Sequence, residues 1–94
     1  MATAARKHIA IKIYGNVRGV SFRVRAKQEA RPLGISGFAR NEPDGSVYIE
    51  VEGNAGAIEK FLSWCRTGPP FAKVEKVDFA LSDSLRNFGG FDVQ

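Results

Sequence analysis

The stretch HIAIKIYGNVRGVSFRVRAKQEARPLG, residues 8–34, carries two hydrophobic periods in immediate succession. Over His8 to Gly15, Ile9, Ile11 and Ile13 alternate with Ala10, Lys12 and Tyr14, the two-residue period of a half-buried strand. After a loop holding Gly15 and Gly19, Phe22, Ala26, Ala30 and Leu33 recur at helical spacing and form one apolar stripe. Ser21 stands where its side-chain oxygen could cap that helix. Pro32 has no N–H and biases Arg31 away from helical dihedrals, so the helix is expected to stop at Arg31, with Gly34 completing the turn.

The rest of the chain repeats the theme. Gly37 to Asn41 is a short strand, and Glu42-Pro43-Asp44-Gly45 places Pro and Gly where a tight hairpin turn wants them. Val47, Ile49 and Val51 then share one face of a third strand that Gly53 should end. Asn54 can cap a second helix in which Ile58, Phe61, Leu62 and Cys65 fall at i, i+3, i+4 and i+7, and Gly68-Pro69-Pro70 stops it. Val74 to Phe79 alternates again, and Phe88 to Val93 is a candidate edge strand after the polar loop Ser82–Asn87. The order strand, helix, strand, strand, helix, strand predicts an α+β, ferredoxin-like split β-α-β sandwich: a mainly antiparallel sheet with two helices on one face. Strands one and two are then parallel and end at the same sheet edge, which returns Asn41 to the loop after strand one. Residues 1–7 are expected to form a flexible N-terminal tail and residues 8–94 the domain.

Ninety-four residues suffice for one core and are too few for two. The apolar share of 44% and the charged share of 26% are ordinary globular values, and no apolar run approaches the roughly 20 residues that span a bilayer. No membrane partner is expected. The start has no apolar segment of signal-peptide type, and the lone Cys65 cannot form an internal disulfide, so a reducing, cytoplasmic setting is expected. A formal net charge of +4 favours anionic partners without choosing among phosphate esters, nucleic acid and lipid.

The segment GNVRGVSFR, residues 15–23, lies between a strand end and a helix start, where unpaired backbone N–H groups and the positive end of the helix dipole converge on an anion. Arg23, in the first helical turn, adds a planar fork able to grip two phosphate oxygens. Val17, Arg18, Gly19, Val20, Ser21 and Phe22 are the expected phosphate-binding loop. Spacing alone serves equally a loop that merely turns tightly beside a solvated arginine. The Gly-Lys-Ser/Thr end of a nucleotide P-loop is missing, as is the dinucleotide fingerprint. Cys65 sits on the apolar stripe of the second helix and reads as core rather than nucleophile. His8, at the start of strand one, reads as structural, and Ser21 as a cap, since no histidine can be placed beside it. Phe22 and Phe38 read as core, and with a single histidine and a single cysteine no metal site is expected.

Four motifs in order, GNVRGVSFR at 15–23, GFARNEPDG at 37–45, VEG at 51–53 and GPPFAKV at 68–74, resemble those of the acylphosphatases, and the likeness spans nearly the whole chain. The resemblance implies hydrolysis of an acyl phosphate to carboxylate and inorganic phosphate, with Arg23 holding the phosphoryl group, Asn41 positioning the attacking water, and no cofactor. Such chemistry suits the residues present, because a carboxylate leaving group needs no general acid. Inorganic phosphate or sulfate should then be a site ligand, and the chain should act as a monomer. The sequence departs from the family at Arg18, usually Gln, and at Val24 and Arg25, usually more aromatic; Arg18 reads as solvent-facing. The alternative is a non-catalytic anion- or RNA-binding module of the same fold. Against nucleic acid stands the single tyrosine on each of strands one and three, Tyr14 and Tyr48, where an RNA platform needs paired aromatics.

Overall fold

A computed structural model describes residues 5–19 and 21–94. In chain order the elements are β1 (Arg6–Asn16), α1 (Phe22–Leu33), β2 (Ser36–Asn41), β3 (Val47–Asn54), α2 (Ala55–Thr67), β4 (Lys73–Ser82) and β5 (Phe91–Val93). The sheet runs β4-β1-β3-β2-β5, with β2 and β5 parallel and every other neighbour antiparallel. This is the expected α+β, ferredoxin-like arrangement. Because β1 and β2 both pair antiparallel with β3, they are parallel to each other, and Ile13 and Asn41 both stand opposite Val47.

The core lies between one sheet face and the two helices. Ile9, Ile11 and Ile13 of β1, Val47, Ile49 and Val51 of β3, Ala26 and Ala30 of α1, and Phe61 and Cys65 of α2 are all fully buried. Each large apolar side chain removed from water there contributes about 1.5–3 kcal/mol. Phe22 and Phe61 flank Trp64, with ring centroids 5.2 and 5.9 Å away, and so join α1 to α2. The Asn54 side chain accepts the Ala57 N–H at 2.9 Å and caps α2 as the sequence suggests.

Several boundaries differ from the sequence reading. β1 begins at Arg6, not His8: Arg6 and Lys7 pair with Asn54 and Gly53, while residues 1–4 of the expected tail lie outside the described residues. Pro32 sits inside the last turn of α1, where it is exposed and water can take up the carbonyl it leaves without a donor. The helix is ended instead by Gly34, left-handed at φ 68°, whose N–H bonds Arg31 while the Ile35 N–H reaches Ala30. β5 is shorter than expected, because residues 88–90 cross the sheet as irregular chain. Phe38 is buried, but on the sheet face away from the helices, where Tyr48 and Phe88 cover it.

Candidate active site

Residues 17–21 join the end of β1 to the start of α1. A Cβ at Gly15 would lie 2.1 Å from the Lys73 carbonyl oxygen, so glycine there lets β1 and β4 close up at the register shift between Tyr14 and Gly15. Gly19 serves differently. At φ 75° it takes the left-handed conformation that a side chain resists, and nothing stands within 4 Å of where its Cβ would be. Ser21 is left-handed too, at φ 59°, and its side chain makes no capping bond, which corrects the expected cap. The Arg25 N–H bonds the Ser21 carbonyl at 3.0 Å, so the N–H groups of the opening helical turn point out of the helix end. No acidic residue occupies that turn to oppose an anion.

A cleft of about 220 Å³ opens at this junction, lined by Val17, Gly19, Ser21, Phe22, Arg23, Val24 and Asn41. Six of the residues singled out in the sequence therefore meet: Val17, Gly19, Ser21, Phe22, Arg23 and Asn41. Val17 and Phe22 bury their side chains in the core, so main chain is what they can offer a ligand. Arg18 is exposed, as its solvent-facing reading expects, and its side chain does not line the cleft, while Val20 lies outside the described residues. Asn41, at the C-terminal end of β2, makes no side-chain hydrogen bond to the turn 42–46, whose own bonds run between Glu42, Asp44, Gly45 and Ser46. Two larger hollows, about 540 and 420 Å³, flank β5, but neither includes Arg23 or Asn41.

Arg23 is half-buried, and its guanidinium donates to the main-chain oxygen of Gln94. The Gln94 N–H donates in turn to the Ala39 carbonyl at 2.8 Å, two residues before Asn41 on β2. One donor of the five-N–H fork is thus engaged at the rim of the cleft. The sequence reading missed Gln94, since no local pattern links it to Arg23. It also noted Val24 only as a departure, although this residue lines the cleft and is 47% exposed.

The other reactive groups stand elsewhere. His8 bonds Glu50 at 2.7 Å near the opposite end of β1, about 26 Å along the strand from Asn16. Cys65 is fully buried, and burial pushes its thiol up, away from the reactive thiolate.

A ferredoxin-like domain with main-chain donors and an arginine around a strand–helix cleft is suited to receiving an oxyanion. Comparison with known proteins identifies which such domain this is. The family model described as Acylphosphatase matches residues 9–93. An acylphosphatase of Nocardioides sp. is 46% identical over 86 residues, covering 89% of this chain and 87% of that protein. One from Anaeromyxobacter dehalogenans is 41% identical over 91 residues, covering 97% and 98%. The crystal structure of acylphosphatase from Bacillus subtilis is similar with a TM-score of 0.91 and 32% identity, over 94% of this chain and 98% of that one. The chain belongs to the acylphosphatase family, and so is a hydrolase acting on acid anhydrides.

Proposed function

We propose that this enzyme hydrolyses a small-molecule acyl phosphate by direct attack of water, with Arg23 binding the phosphoryl group and Asn41 orienting the water. The supporting observation is that Arg23 and Asn41, on different elements, line one cleft with the glycine-containing loop between them. In the reaction the water oxygen bonds to phosphorus as the bond from phosphorus to the acyl oxygen breaks, and the pair of electrons leaves with the carboxylate. Charge developing on the equatorial phosphoryl oxygens is met by the guanidinium and by main-chain N–H groups of the loop 17–22. The Asn41 carboxamide both donates and accepts, so it aims the water without taking its proton. That proton passes to the phosphate. Inorganic phosphate and sulfate fit the same donors and should compete with substrate.

Action as a monomer in a reducing, cytoplasmic setting belongs to the same reading, and the buried free thiol of Cys65 supports that setting. Among the described residues no helix is long and apolar enough to cross a membrane. The test is hydrolysis of an aromatic acyl phosphate by Arg23→Ala and Asn41→Ala. Both variants should keep the wild-type circular dichroism spectrum and lose about 10²–10³ in kcat/KM. Wild-type rates in either variant would remove that residue from the mechanism.

A further inference from the structure

Glu52 is a fully buried carboxylate on the sheet face away from the helices, and among the described residues no cation is bonded to it. Its charge is met instead by main chain. Oε2 accepts the Arg86 N–H, and Oε1 accepts those of Asn87 at 2.8 Å and Phe88 at 3.4 Å. Taking a carboxylate out of water is costly unless several donors meet it, so three converging N–H groups hold both the charge and the segment that supplies them. That segment has no regular structure from Asp83 to Gly90. It leads directly into β5, three residues long and too short to fix its own place, and β5 leads to Gln94, whose oxygen receives the Arg23 guanidinium.

We infer that Glu52 is a positioning residue for the phosphate site: by pinning residues 86–88 it sets, through β5 and the Gln94 oxygen, where the Arg23 guanidinium stands. The inference rests on the reading of Arg23 as the phosphate ligand. Glu50 assists from the next outward-facing position of β3, accepting the Arg86 side chain at 3.0 Å. The Gly90 carbonyl adds a second fastening, accepting the Gly37 N–H at 2.7 Å. Glu52→Gln is the informative change, because it keeps the shape but turns an NH₂ donor toward main-chain donors.

The experiment is calorimetric titration of the full chain with inorganic phosphate, together with KM and kcat for an aromatic acyl phosphate, at a temperature where every variant is folded. Glu52→Gln should raise the phosphate Kd and the KM about tenfold, as displacement of a phosphate ligand predicts. Ile58→Val, a core change on α2 remote from the cleft, is the stability control and should leave both constants unchanged while lowering Tm. A lowered Tm with wild-type Kd and KM in Glu52→Gln would overturn the inference, leaving Glu52 a purely structural anchor. Arg23→Ala separates the two readings. If it abolishes phosphate binding while Glu52→Gln does not weaken it, the inference alone fails; if Arg23→Ala binds phosphate like wild type, both fail together. Should Glu52→Gln not fold, Arg86→Pro deletes one of the three donors and leaves the carboxylate in place. Its expected rise in Kd is about threefold, and an unchanged Kd would again overturn the inference.

Discussion

Glu50 shows how a charge is kept under cover. Burial pushes its pKa up, but hydrogen bonds from Tyr48, His8 and Arg86, at 2.7, 2.7 and 3.0 Å, outweigh burial and hold the carboxyl below its ordinary 4.5. Tyr48 moves the other way, pushed up to about 12 by burial and by its bond to Glu50. A carboxyl with a depressed folded pKa stabilises the fold above the unfolded value and ceases to do so as pH falls through the folded value. Stability should therefore decline on acidification below about pH 4.5, and Glu50→Gln should flatten that acid limb in urea melts taken across pH 3–6. Asp44, lowered to about 2 by bonds from Ser46 and then Lys12, titrates in the same direction but in full solvent, where salt screens it. At this scale the legible residues are those whose chemistry is local. The place of Arg23 in the first helical turn could be read, because the apolar stripe of α1 fixes where the helix begins. Gln94 could not, because its bond to Arg23 spans 71 positions and imposes no period on the chain between.

Elements differ in how much of their stability is local. The cap on α2 is one side chain bonded three residues ahead, so Asn54→Ala should cost about 1 kcal/mol in chemical denaturation, with the slope unchanged. The start of α1 has no such cap: Ser21 is left-handed, and only its main-chain carbonyl, accepting the Arg25 N–H, closes on the helix. The bulge at Gly15 belongs to two elements at once. Gly15→Ala forces a methyl to within 2.1 Å of the Lys73 carbonyl oxygen, and should destabilise by about 2–4 kcal/mol, measurable as a lower denaturation midpoint. Alternation and helical spacing made β1, β3 and both helices readable, since each lays one apolar face against the core. β5 was blurred because its three residues are placed by pairing with β2 and by the anchored segment before it, not by a pattern of their own. Pro32 was misread as a stop because the rule against proline weighs one lost hydrogen bond, whereas Gly34 and the packing of Ala30 decide where α1 ends.

For the molecule as a whole, the helices and sheet share one core with Phe61 fully buried in it, in ring contact with Trp64 and Phe91. Phe61→Ala should cost about 3–5 kcal/mol, and in a domain of this size each kcal/mol lowers Tm by about 4–8 °C, so a thermal melt reads it directly. The amino-acid sequence by itself determined the succession of strands and helices, the tight turn at 42–45, the glycine-containing loop with Arg23 in the helical turn behind it, and, through the parallel crossover, the return of Asn41 to that loop. Those features follow from burial periods and backbone preferences that act over a few residues. Only the tertiary structure decided that β5 closes the sheet beside β2, that Phe38 is covered on the far face, and that Glu52 and Gln94 hold the segment next to Arg23. Each of these depends on partners tens of residues apart, chosen by which packing buries the most apolar surface while leaving no buried donor or acceptor unpaired, a condition that no short window of sequence contains.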